Sequence, residues 1–440
     1  MILMKQQVDS RMMVLFGVLF VELAIEIVST SDAVKAAAVC AVMSTAFVLI
    51  FFSWCLSPSL ALKKYVGKPL VMGTVMVGIG AYGLMIAILK HNSPYYIAAD
   101  IYHWFFELIL MAVLTMWAVA RSDSIGIAIA LALQGIVFGS MGLFTFVAGT
   151  IGLPVQAGHI VANLHLWRLE LSRGFPEIPL LFVTAALFVK KRERWPKPVR
   201  ILLWISYAIY LPCLFVTLKR SMLLSYLGGV ALLFIPRRKM ILGATIGLVS
   251  LPVIASFVIL FRNAIIKMLS GFAALLTYNP TYSVEDTLGE RVKQILTMVP
   301  YLFKNMYGYG MGAQFYGYWP GENTFGVVHY IHNLYIYYLL QIGVPGTLLM
   351  LLMGAWLSWM LVSCMDRNPD WNWVLRASFS CLAVVAVNGM VLVSIHTCFA
   401  GLVLGLGMLA YIRVKVPVPA RNVAPAPIPL GSLTLEKGAF

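Results

Sequence analysis

Two arginines and one histidine stand where simple composition rules do not ask for them. Arg220 follows Lys219 in a tight break between two apolar runs, Arg291 falls in the first turn of a helical pattern that starts near Leu288, and His332, followed by Asn333, opens a later apolar run. Guanidinium groups are planar forks that bind phosphate oxygens in pairs and stay charged at any relevant pH, so two of them suit a pyrophosphate. A cation is unfavourable in the first turn of a helix, and Arg291 there implies an anionic partner nearby. An imidazole can take a proton near neutral pH, which makes His332 a candidate general base. Plainer roles compete. An arginine at the end of a span also serves as a headgroup anchor, and a histidine before a helix as a cap or interface residue. His329, His159 and His165 are rivals for the base, while Lys219 and Arg262 read as anchors.

Other groups point less sharply. The stretch Tyr307-Gly-Tyr-Gly-Met-Gly312, followed by Phe315, Tyr316, Tyr318 and Trp319, suits stacking against sugar rings or an interfacial aromatic belt. Glu22 with Glu26, and His103 with Glu107, lie four residues apart within apolar runs, as a polar pathway or as structural pairs. No DxD pair, HExxH, Walker loop or GxSxG occurs, and Glu285-Asp286 has no further ligand at metal spacing, so neither a metal site nor a cofactor is expected. The six cysteines (Cys40, Cys55, Cys213, Cys364, Cys381, Cys398) form no CxxC pair and read as packing residues.

The elements that must carry these groups are membrane helices. Of the 440 residues 61% are hydrophobic and 11% charged, and mean hydropathy is +0.89; a soluble domain carries about 25% charged residues. Runs of about 20 apolar residues cross the hydrocarbon core with their backbone groups paired internally, and the ten-residue alternation of a barrel is absent. Twelve spans are expected, near 11–29, 33–57, 69–90, 101–120, 124–148, 176–190, 200–218, 221–235, 240–261, 331–363, 374–396 and 398–413. The reading is an all-α polytopic integral membrane protein. Residues 1–261 form spans one to nine, with a shorter outward loop near 149–175. Residues 262–330 form a large outward loop, 331–413 the last three spans, and 414–440 a cytoplasmic tail.

Charge orients the spans. Much of the net charge of +15 is topological and does not signal nucleic acid, because cytoplasmic loops collect Lys and Arg. Lys63, Lys64 and Lys68, the run from Lys190 to Arg200, Arg237 to Lys239, Arg367, and Arg413 with Lys415 and Arg421 all fall on the side of the N-terminus, which is therefore cytoplasmic. Lys5 and Arg11 precede a first run that reads as a retained span. In the large loop, Thr287 followed by Glu290 is a capping-box pattern, and Val292, Ile295, Leu296, Val299 and Leu302 repeat at helical spacing. An amphipathic helix is expected there. A second is expected through Ile160, Leu164, Leu166 and Leu169.

Together these positions resemble a known family. His332-Asn333, nine residues, then Gly343-Val-Pro-Gly346 resembles the H-[NSQ]-X9-G-X-X-[GTY] motif of O-antigen ligases, and Arg220-Ser-Met-Leu-Leu224 their R-X3-L motif. Arg291 matches a second arginine in the large loop. The resemblance implies a GT-C-like inner-membrane glycosyltransferase, independent of metal. Its donor would be a glycan on undecaprenyl pyrophosphate, its acceptor lipid A-core at the periplasmic face. It gives His332 the base role, Arg220 and Arg291 the pyrophosphate, and Asn333, Gly343 and Gly346 supporting roles. The nearest rival is an O-antigen or exopolysaccharide polymerase. A protein O-oligosaccharyltransferase ranks lower because no sizeable domain follows span twelve. A lipid-linked oligosaccharide flippase would ask for internal repeats and charges deep in a midplane cavity.

Overall fold

The computed structural model describes residues 67–119, 123–150, 177–189, 195–216, 220–242, 287–319, 324–329, 331, 333–389 and 398–415. The spans expected at 11–29 and 33–57, nearly all of that at 240–261, the loop helix near Ile160, Glu22, Glu26 and the tail lie outside the described residues. Among the described residues, four helices are long and apolar enough to cross a membrane: Gly67–Leu89, Pro94–Met116, Lys197–Phe215 and Leu334–Cys364. Shorter apolar helices cover Ser124–Val137, Glu177–Phe188, Met222–Phe234 and Asn372–Asn388.

In chain order the elements are α1 (Gly67–Leu89), α2 (Pro94–Ile101), a π-helical stretch over Tyr102–Leu110, α3 (Met111–Val119), α4 (Ser124–Thr150) and α5 (Glu177–Phe188). There follow α6 (Lys197–Val216), α7 (Arg220–Phe234), α8 (Thr287–Lys304), β1 (Phe315–Trp319), β2 (Thr324–Val328), α9 (Leu334–Cys364), α10 (Asn372–Asn388) and α11 (Cys398–Lys415). The span expected at 101–120 begins earlier, at Pro94, because a proline's fixed φ and missing N–H suit the first turn of a helix. His103 and Glu107 both fall in the π-helical stretch. The loop helix α8 begins at Thr287, beside the expected start.

Hydrogen bonds give the bundle two ends. At one, Arg237 donates to the carbonyls of Val362 (3.1 Å) and Ser363 (2.7 Å). There too Arg376, 8% exposed, donates to Leu233 and Ile235 carbonyls (2.8 and 2.9 Å) and pairs with Asp366 at 3.2 Å. Arg413 stands over Trp371 and Lys68 over Tyr411, each 6.0 Å from the ring centroid. The basic residues between spans thus gather where α7 and α9 end and α10 begins. At the opposite end the Leu334 N–H donates to the Gly389 carbonyl at 2.8 Å. So α7 and α9 run parallel, α10 runs against them, and both motif-bearing helices start at one mouth.

The all-α expectation takes one correction. Among the described residues β1 and β2 form an antiparallel hairpin, with Tyr316 opposite Val327 and Tyr318 opposite Phe325. Short runs of aromatic and β-branched residues favour strands, and Pro320-Gly321 between them is a turn signal. Gly317 lets the hairpin lie on α8: a Cβ there would collide with the Met298 methyl. Phe315 and Val328 point into the core, while Tyr316 and Phe325 are exposed, 62% and 59%, and stack with ring centroids 6.4 Å apart. Met298, Phe315, Val328, Tyr337 and Ile342 belong to a core at this mouth. A larger core holds α3 to α7 against α10, α11 and the far half of α9, and buries free Cys364 and Cys381.

Candidate functional site at the helix mouth

The Gly343-Val-Pro-Gly346 element breaks a helix so that another segment can dock into the gap. Gly343 has φ 68° and ψ −177° in the middle of α9, a conformation open essentially to glycine alone. A helix pairs the carbonyl of residue i with the N–H of i+4. Here the Val344 N–H turns to the Met306 carbonyl at 2.8 Å, and Pro345 has no N–H to give Gln341. The freed carbonyls of Leu340 and Gln341 accept instead from the N–H groups of Tyr309 (2.7 Å) and Gly310 (2.9 Å). Orphaned backbone groups inside an apolar bundle are expensive, and this exchange leaves these paired.

The tyrosine–glycine stretch therefore has a backbone role. It threads between α1 and the α9 break, with the Met311 N–H on the Gly83 carbonyl at 3.1 Å. Asn92 Nδ2 donates to the carbonyls of Tyr309 (2.9 Å) and Met311 (2.8 Å). Gly308, Gly310 and Gly312 all have positive φ; at Gly310 a Cβ would run into the Ala87 backbone. Tyr309 donates its hydroxyl to the Tyr301 carbonyl at 3.0 Å; burial, and less so the Tyr301 phenol, raises that hydroxyl above its ordinary pKa.

Under this strip lies an acidic residue that the sequence reading does not single out. Asp100, 3% exposed, lies in the last turn of α2. Its Oδ2 accepts from the Gly312 N–H at 2.6 Å and from Gln341 Nε2 at 2.5 Å, and its Oδ1 from the Tyr337 hydroxyl. His329 Nε2 stands 3.4 Å from Oδ1. Nδ1 of the same ring is 3.0 Å from the Ala313 carbonyl, which can only accept, so that nitrogen carries a proton. The Tyr96 ring packs on the imidazole, centroids 4.4 Å apart. His329 is thus 4% exposed and committed to the core, which weakens it as a rival base.

Three residues on, the chain reaches His332, which lies outside the described residues; its neighbours Ile331 and Asn333 are described. Asn333 is the N-cap of α9: its Oδ1 accepts from the Ile336 N–H at 3.0 Å, with extended backbone at φ −145°. Asn333→Ala is expected to cost about 1 kcal/mol, whereas Asn333→Asp keeps an acceptor and most of the stability; thermal unfolding of the two variants in detergent checks this. Equal losses in both would deny the cap.

Arg220 is the first residue of α7, and Arg291 stands in the opening turns of α8, seven residues before buried Met298. Their side chains are outside the described residues, so the structure shows the frame to each and not the distances among Arg220, Arg291 and His332. Gly343 is the helix break, and Gly346 lies one turn on, facing the Ile342 side chain. Three further side chains belong to this mouth. Asn388 Nδ2 donates to Glu177 Oε1 at 3.0 Å, and the Ser225 hydroxyl donates to Asn388 Oδ1 at 2.5 Å.

Long apolar helices with polar groups gathered at one mouth define a multi-pass membrane protein. Residues 180–351 match the family model described as O-antigen ligase, Wzy_C. That stretch is similar to the O-antigen ligase family, which is glycosyltransferase-like; the match takes in Arg220, Arg291, His332, Asn333, Gly343 and Gly346. The family points to ligase or polymerase-type activity on lipid-linked glycan. No curated protein matches the chain.

Proposed function

We propose that this protein is an O-antigen ligase of the inner membrane. It transfers glycan from undecaprenyl pyrophosphate to lipid A-core at the periplasmic face, without metal and with inversion. The observation that carries the reading is the O-antigen ligase match over 180–351, which contains both arginines and the His332-Asn333 to Gly343-Val-Pro-Gly346 motif. In the proposed step the acceptor hydroxyl gives its proton to His332 as its oxygen attacks the anomeric carbon. The glycosidic bond to the pyrophosphate breaks on the opposite face. Arg220 and Arg291 take up the negative charge that gathers on the leaving undecaprenyl pyrophosphate. Fixed donors aimed at a developing anion contribute about 3–4 kcal/mol each. The shared mouth of α7 and α9 supports a common site for Arg220 and His332. The large loop of 262–330 between the two groups of spans, both termini in the cytoplasm and the basic end of the bundle facing inward belong to the same reading.

The test uses detergent-purified protein with EDTA, undecaprenyl-pyrophosphate-linked glycan and lipid A-core, with products read on a gel. Wild type is expected to place glycan on lipid A-core. Arg220→Ala and Arg291→Ala are expected to lower kcat by roughly 10²–10³, and His332→Ala by roughly 10²–10⁴. Longer carrier-linked glycan with untouched lipid A-core makes the protein a polymerase. No transfer to either acceptor by folded wild type removes the ligase reading and favours a transporter.

A further inference from the structure

A buried polar trio joins the helix of Arg220 to the segment of His332. Glu177, with no exposed surface, opens α5; Asn388, 2% exposed, ends α10; Ser225, 8% exposed, lies on α7. The Asn388 side chain bridges the other two through the hydrogen bonds from Ser225 and to Glu177. The very next carbonyl, that of Gly389, accepts from the Leu334 N–H. One corner of α10 therefore grips two elements at once. Ser225 is five residues after Arg220, about 7.5 Å of helix rise, and Leu334 is two residues after His332. Tyr335 adds a second tie, its hydroxyl donating to the Ala386 carbonyl at 2.6 Å.

An apolar trio of the same volume could pack here without the desolvation cost of buried polar groups. What the polar trio adds is direction. Apolar attraction is non-directional, whereas a hydrogen bond holds two named atoms within a narrow range of separation. The amide is also oriented: Nδ2 faces the carboxyl group of Glu177 and Oδ1 the Ser225 hydroxyl, and turning it over would set its carbonyl oxygen against Glu177.

We propose that Asn388, held by Glu177 and Ser225, is a positioning residue that sets the spacing between Arg220 and His332 for glycan transfer. This rests on the ligase reading above. Misplacing reacting groups by about 1 Å costs on the order of 10²-fold in rate. Ser225→Ala frees α7 while leaving the Asn388–Glu177 bond intact. Asn388→Asp sets two carboxyl groups together. Glu177→Gln combined with Asn388→Asp reverses donor and acceptor and restores the bridge.

The experiment measures kcat and donor KM for each variant. Nitroxide labels at exposed Leu224 on α7 and Leu349 on α9, in a background without other cysteines, report helix spacing. Ser225→Ala is expected to lower kcat at least about tenfold and Asn388→Asp about a hundredfold, with KM nearly unchanged. Both should broaden the label distance, and the reversed pair should restore distance and kcat to within about threefold of wild type. Unchanged kcat and distance in the single variants overturn the proposal. So does a reversed pair that regains thermal stability without regaining spacing. If wild type transfers nothing while the distances respond as expected, the spacer stands and the ligase reading falls.

Discussion

Asp100→Ala is expected to lower stability by about 3–5 kcal/mol, as when the shared acceptor of several buried donors is removed, and to reduce glycan transfer to background. The carboxyl group gathers the Gly312 N–H, the Gln341 amide, the Tyr337 hydroxyl and the His329 ring, from three separate parts of the chain. With alanine, those groups stay buried and lose their shared acceptor. The strip at 307–312 and the backbone at His329 both lose their anchor to α2. Asp100→Asn is the informative companion. Its carbonyl oxygen can keep Gly312 and Gln341, while its amide can donate to the Tyr337 hydroxyl and to an unprotonated His329 Nε2. The loss should then shrink to about 1 kcal/mol, the net worth of a single hydrogen bond. Thermal unfolding and transfer activity of purified proteins decide the matter. An alanine variant as stable and active as wild type would show that the cluster holds nothing together.

The second large effect is at the helix break. Gly343→Ala is expected to prevent accumulation of folded protein in the membrane. Its backbone conformation alone costs a non-glycine residue about 1–3 kcal/mol. The added Cβ would also strike the Tyr307 backbone and stand 2.5 Å from the carbonyl oxygens of Met306 and Tyr307. Those atoms are backbone in a hydrogen-bonded strip and cannot rotate away. The control lies in the same helix: Gly354 has open space where its Cβ would be. Gly354→Ala should therefore be neutral or gain up to about 1 kcal/mol of helix propensity. Gly346→Ala falls between, because the Cβ would meet the Ile342 side chain from 2.8 Å. Yield of monodisperse protein and its unfolding temperature rank the three. Equal behaviour at Gly343 and Gly354 would mean that the kink is dispensable.

Much of this frame is legible along the chain because hydropathy and charge are local properties. A run of twenty apolar residues has one cheap conformation in a bilayer, so the helices at 69–90, 124–148, 200–218 and 331–363 follow from composition alone. The basic clusters between runs likewise foretell which helix ends belong together, as Arg237 on Val362 and Arg413 over Trp371 show. The motif spacing from His332 to Gly346 was enough to indicate the family. The hairpin at 315–328 was harder, since aromatic residues at this position suit a membrane belt as well as a strand.

What the chain order could not disclose are contacts between residues hundreds of positions apart. Asp100 reads as one acidic residue in an apolar run, which signals a buried polar role but names no partner. Only the folded chain brings Gly312, Tyr337 and Gln341 to it. By composition the tyrosine–glycine strip suits sugar stacking or an interfacial belt; in the fold its glycines admit the strip between α1 and the broken α9, and Tyr307, Tyr316 and Phe325 stay exposed. Glu177, Ser225 and Asn388 are unremarkable singly and become one bridge in three dimensions. The division has a physical cause. Insertion of a helix depends on its own residues, whereas the pairing of a buried polar group depends on whichever distant group packing delivers to it.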